Sequence, residues 1–109
     1  METLISVYAT FTSEDEAIGI INKLLAAKLI ACANIFPIKS FYVWNDALQQ
    51  DTECAALLKT IEKNFKNIVA IIEKNHTYQV PCIVKLPLVA SQKYNEWVIA
   101  QTKISNNYE

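Results

Sequence analysis

The spacing of apolar and polar residues changes period several times along the chain, and each change marks a new element. Leu4, Ile5, Val7 and Tyr8 open with strand-forming side chains and predict an extended segment ending near Thr10. Ser13-Glu14-Asp15-Glu16 then has the spacing of a capping box, in which the serine takes a first-turn amide and the glutamate reaches back. The three carboxylates suit the positive end of a helix dipole and read as capping groups, not catalytic ones. Ala17, Ile20, Ile21, Leu24 and Leu25 repeat at helical spacing and carry this helix to about Lys28.

Residues 31–44, ACANIFPIKSFYVW, form a long β-rich ribbon. Branched and aromatic side chains favour the pleated backbone, whereas Pro37 lacks a ladder donor and marks an edge or a bend. Phe41 and Val43 alternate with Tyr42 and Trp44, so both faces carry apolar area and both need cover. Asn45-Asp46 supplies turn chemistry, because both residues tolerate the left-handed region. An antiparallel partner strand is expected over residues 52–59, with Asp51 and Glu53 read as solvated residues of the hairpin end. Thr60 is expected to cap a second helix, in which Phe65, Ile68, Val69 and Ile72 repeat at i, i+3, i+4 and i+7 until about Asn75. Residues 76–81 form a connector, since Pro81 pushes Val80 out of helical space. A strand over residues 82–86 ends at Pro87, and a last helix spans residues 92–103 with Tyr94, Trp97 and Val98 on one side. The tail from Ser105 is expected to fray.

This β-α-β-β-α-β order with an extra C-terminal helix predicts an α+β, ferredoxin-like fold. Its antiparallel sheet has a long hairpin between the second and third strands and helices on one face. The other face is left bare, and a neighbouring subunit is the economical cover.

Composition sharpens this picture. The 109 residues make one domain, 1–109, in which 52% hydrophobic against 19% charged residues favours an oligomer. A net charge of −1 without a Lys/Arg-rich run gives no electrostatic capture of nucleic acid or of an anionic membrane. No apolar run approaches the ~20 residues of a membrane helix, and METLISVYAT reads as strand without a basic leader. Three widely spaced cysteines, Cys32, Cys54 and Cys82, suit reduced thiols and a cytoplasmic protein. The single glycine, Gly19, lies inside a helix, so no glycine-rich loop offers amides to a phosphate or an oxyanion, and the chain reads as non-catalytic.

Taken together, ACANIFPIKSFYVW, ECAALLKT, NHTYQVPCIVKLPL and YNEWV resemble the CutA family of divalent-cation tolerance proteins, from the first strand through Trp97. The resemblance implies a ferredoxin-like fold similar to that of the PII signalling proteins, and a homotrimer held through the long hairpin, with Phe41, Tyr42 and Trp44 as interface aromatics. It also implies copper or another divalent metal as ligand, with no cofactor required, on Cys32 and His76; Ala9 stands where some members have a further cysteine. Thiolate and imidazole suit copper, and Cys82, beside the His76 loop, is a candidate replacement ligand. In a second, PII-like reading a small ligand fills the cleft between subunits, lined by Lys59, Tyr78, Gln79 and Trp44. The chain departs from the family pattern at Ile38 (for Gly), Asn45-Asp46 (for Glu-Gly), Thr77 (for Pro), Gln79 (for Glu) and Cys82 (for Glu).

Overall fold

A computed structural model of the chain describes residues 2–102. Its first strand, β1 (Leu4–Phe11), is buried throughout except at the half-buried Tyr8, as befits a strand paired on both edges and covered on both faces. There follow α1 (Glu14–Ala26), β2 (Cys32–Trp44), β3 (Ala47–Ile61), a 3-10 turn (Glu62–Asn64), α2 (Phe65–Asn75), β4 (Ile83–Pro87) and α3 (Gln92–Gln101). The strands form one antiparallel sheet in the order β2-β3-β1-β4, the expected ferredoxin-like arrangement. Lys103 and the tail after it lie outside the described residues.

Strand alternation divides the sheet between two helical layers. Ile5, Val7, Ala9 and Phe11 of β1, with Cys54, Ala56 and Leu58 of β3, pack against Ala17, Ile20 and Leu24 of α1 and Ile68 and Ile72 of α2. Leu25, expected on the buried side, is 40% exposed. The helices do not all share one face: α3 sits on the other, where Val98 packs with Leu4, Ala31 and Ile61.

The Ser13 cap forms as predicted, its hydroxyl accepting from Glu16 N at 3.1 Å. The Glu16 side chain reaches past Ser13 and accepts from Thr12 N instead. Helix α1 stops short of Lys28, which adopts φ 60. Lys28 N donates to Leu25 O and Leu29 N to Leu24 O, both at 3.0 Å. These are the paired bonds of a Schellman motif, with lysine in the position that glycine usually takes.

Thr60 does not cap α2. It lies in β3, and its buried hydroxyl donates to Leu29 O at 2.6 Å, beside a bond from Asn64 Nδ2 to the same carbonyl at 3.2 Å. Helix α2 is entered through the 3-10 turn, with no side-chain cap. Strand β3 is also longer than expected, because it begins at Ala47 immediately after the turn. Asn45 and Asp46 take φ 51 and 63, the mirror-image turn that matches strand twist, and set Trp44 opposite Ala47. Edge strand β2 contains Pro37, opposite Cys54. Strand β1 pairs with β3 only as far as Cys54, so residues 38–53 form a two-stranded ribbon beyond the sheet. The molecule accordingly measures 47 × 29 × 22 Å.

Candidate functional site

The connector from α2 to β4 is held down before it reaches the ribbon. His76 has a fully buried side chain, stacked on Phe11 with ring centroids 5.4 Å apart. Its Nδ1 accepts from Tyr78 N at 3.0 Å. A backbone amide can only donate, so the proton sits on Nε2, which donates to Thr10 O at 2.7 Å. Both ring nitrogens are thereby engaged.

Glu16 is the second tie. Its Oε1 accepts from Thr12 N and Oγ1 at 2.8 and 3.0 Å, and its Oε2 from Thr77 N and Oγ1 at 2.9 and 2.6 Å. Burial pushes this carboxyl up, but the Thr77 hydroxyl, the Thr12 and Thr77 amides and nearby His76 outweigh it and hold it below its ordinary value. The capping-box spacing identified Glu16 only as a cap; its hold on a loop 61 residues on has no local signature.

The tied loop aims Tyr78 at the ribbon. Its hydroxyl donates to Glu53 Oε2 at 2.6 Å, while Ser40 Oγ donates to Glu53 Oε1 at 2.5 Å. Glu53 is only 7% exposed, which corrects its reading as a solvated hairpin residue: the loop and the facing strand cover it. The Glu53 hydrogen bond, with burial and the carboxylate charge, pushes the Tyr78 hydroxyl far up. Tyr42 OH donates to Asp51 Oδ2 at 2.5 Å. That bond, with burial, raises the Tyr42 hydroxyl as well.

Between ribbon and loop lies a cleft of about 690 Å³. Tyr8 and Thr10 of β1, Ser40, Phe41, Tyr42, Trp44, Gln49 and Glu53 of the ribbon, and Thr77, Tyr78, Gln79, Val80 and Cys82 of the loop line it. Six residues singled out from the sequence, Phe41, Tyr42, Trp44, Tyr78, Gln79 and Cys82, therefore meet there. Lys59 does not: it lies on the far part of β3, where its Nζ donates to Asn34 Oδ1 of β2. Phe41 and Trp44 are 70% and 43% exposed, while Tyr42 is half-buried against Asp51.

Cys32 and His76 are kept apart within one chain. Cys32 stands opposite Lys59, which pairs with Ser6, whereas His76 bonds to Thr10. Four residues along β1 at ~3.3 Å each separate the two levels by about 13 Å. The Cys32 Sγ instead lies 3.0 Å from Tyr94 OH. That hydrogen bond, with burial, pushes the Tyr94 hydroxyl up to about 12. Cys54 is buried and Cys82 exposed. Among the described residues no cluster of three or more His, Cys, Asp and Glu side chains is arranged to hold a metal ion, so one subunit does not assemble the ligand set that the resemblance implies.

Sheet order, a ribbon outrunning the sheet and a cleft beneath it define an α+β protein of the ferredoxin-like class. The model of the CutA1 divalent ion tolerance protein family matches residues 5–101. The divalent-cation tolerance protein CutA of Thermotoga maritima is 40% identical over 96 residues, spanning 87% of this chain and 95% of that protein. Its Archaeoglobus fulgidus counterpart is 38% identical over 93 residues, 84% of this chain and 91% of that one. Among solved structures, divalent ion tolerance protein CutA1 from Ehrlichia chaffeensis superposes with TM-score 0.88 at 39% identity, covering 95% of this chain and 99% of its own. The A. fulgidus structure, described as a periplasmic divalent cation tolerance protein, gives TM-score 0.90 at 34% identity, with 92% and 99% coverage. This chain belongs to the CutA family of divalent-cation tolerance proteins.

Proposed function

We propose that the protein serves divalent-cation tolerance as a non-catalytic, cytoplasmic homotrimer assembled through its ribbon. The observation that carries the assembly is the isolation of residues 38–53, which pair only with one another. A lone two-stranded hairpin is marginal in water, and this one leaves Phe41, Val43 and Leu48 70%, 63% and 87% exposed. Covering such side chains is worth about 1.5–3 kcal/mol each. The number three follows the family resemblance. Light scattering at micromolar concentration is expected to give about 37 kDa, three copies of the 12.3 kDa chain. A mass of one chain would overturn the reading.

Two observations support a non-catalytic role: Cys32 and His76 lie at different ends of β1, and the Cys54 thiol is pushed up chiefly by burial. The engaged nitrogens of His76 favour the thiols for copper, with Cys32 and Cys82 at separate levels of β1 and each a Cu(I) contact of its own. Titrating the reduced protein with Cu(I) should therefore show binding weakened by Cys32→Ala or Cys82→Ala and retained in His76→Ala; loss only in His76→Ala would refute this assignment. The cleft favours a second reading, a PII-like module that takes a small non-metal ligand against Trp44, Tyr78 and Gln79.

A further inference from the structure

The cleft contains a charge that its own walls do not neutralise. Glu53 is 7% exposed, and its two oxygens accept from the uncharged hydroxyls of Ser40 and Tyr78. A carboxylate offers about four acceptor positions, so half remain open. Among the described residues of one chain the ion pairs of Glu2, Glu16 and Glu62 leave Glu53 without a cation, and no lysine or arginine of that chain lines the cleft. A buried carboxylate without a counter-charge is costly, and a ligand that brings one recovers that cost.

The remaining wall selects the kind of cation. Trp44, Tyr42, Tyr8 and Tyr78 bring aromatic rings to it, with Val80 adding apolar area. Hard divalent ions need six or more oxygen ligands, and no acidic cluster of that kind is present among the described residues. Ring faces, by contrast, attract an ammonium group and accept the hydrocarbon attached to it. We infer that the cleft is a binding site for an organic ammonium ion with an apolar or aromatic body, its nitrogen directed to Glu53 and its body against the Trp44 and Tyr78 rings. An anionic ligand would meet an unbalanced negative wall, and a neutral one would leave the carboxylate as it was.

This inference rests on the cleft being a ligand site, and the test separates the two claims. Phenethylammonium, 2-phenylethanol and phenylacetate share a body and differ in charge. Each is titrated into the intact protein in a Trp97→Phe background, so that the fluorescence of Trp44 alone reports occupancy of the cleft. The expected result is saturable quenching by phenethylammonium at least ten-fold tighter than by 2-phenylethanol, with no saturation by phenylacetate. Glu53→Gln keeps the size and a hydrogen-bonding carbonyl while removing the charge, and should abolish the preference for the amine without weakening the alcohol. If that variant does not fold, the three-ligand comparison on the Glu53 protein still decides. Equal affinity for amine and alcohol overturns the ammonium inference and leaves the cleft as a ligand site. No saturation by any of the three overturns both, and tightest binding of phenylacetate overturns the inference by showing that the cleft carries a positive charge.

Discussion

Replacing Glu16 by glutamine tests whether the cleft depends on a clamp far from it. The wild-type carboxylate accepts four hydrogen bonds, two from Thr12 and two from Thr77. Glutamine can keep its carbonyl on Thr12, but its amide nitrogen then faces Thr77 N, a donor against a donor. A hydrogen bond to a charged acceptor is worth roughly 1.5–3 kcal/mol, so about 2 kcal/mol of loop closure should be lost. The local readout is hydrogen exchange at the Thr77 and Tyr78 amides, which the Glu16 carboxylate and His76 Nδ1 now protect. A loss of that size accelerates exchange about 30-fold, since ~1.4 kcal/mol is a factor of ten.

The same clamp has a pH signature. The Glu16 carboxyl lies below its ordinary value of 4.5 in the folded chain, so its contribution is complete above that value and is lost as pH falls through the folded pKa. Denaturant unfolding at fixed protein concentration, repeated from neutral pH downward, should show a decline in wild type that is shallower in Glu16→Gln. Equal exchange at Thr77 in both proteins, or parallel pH profiles, would refute the clamp.

Lys28 holds φ 60 in the Schellman turn after α1. The left-handed region costs a non-glycine residue about 1–2 kcal/mol, so Lys28→Gly should raise stability by about 1 kcal/mol after the greater freedom of unfolded glycine is allowed for; an unchanged denaturant midpoint would refute this. Tyr94 is held up to about 12, first by its hydrogen bond to Cys32 and then by burial. Its stabilising contribution should be complete below pH 10 and disappear as pH rises toward 12. In a phenolate absorbance titration, Cys32→Ala should move one tyrosine back toward the ordinary value; an unchanged curve would show that Cys32 does not hold it.

Much of the architecture is legible because its determinants are local. The Ser13 cap, the two-residue Asn45-Asp46 turn and the i, i+3, i+4, i+7 repeat of α2 each act within a few residues, and each is where the sequence puts it. The first residues of β3, Ala-Leu-Gln-Gln-Asp, show no strand signal of their own, because they are extended only through pairing with β2. Thr60 reads locally as a helix cap, yet its hydroxyl serves Leu29 O, 31 residues away. The site is built from still longer reaches: Tyr78 to Glu53 over 25 residues, Thr77 to Glu16 over 61 and His76 to Thr10 over 66. A polar side chain that becomes buried by a partner so distant looks like a solvated one in sequence. Glu53 therefore escaped local reasoning, while the aromatic ribbon did not.

The proposed assembly and the proposed ligand site are compatible because strand alternation gives the ribbon two separate faces. Ser40, Tyr42 and Trp44, with Glu53 across from Ile38, project on the side shared with Tyr8 and Thr10. Val43 and Leu48, directly opposite one another, project on the other side and stay exposed. A slip of one residue would exchange the faces, turning Leu48 over the cleft and Glu53 away from it. The two-residue turn at Asn45-Asp46 prevents that slip by pinning Trp44 to Ala47. Asparagine and aspartate are the non-glycine residues best able to hold two successive positive φ angles. The turn chemistry thus meets what the register demands, and the register keeps the carboxylate in the cleft and the apolar pair outside it.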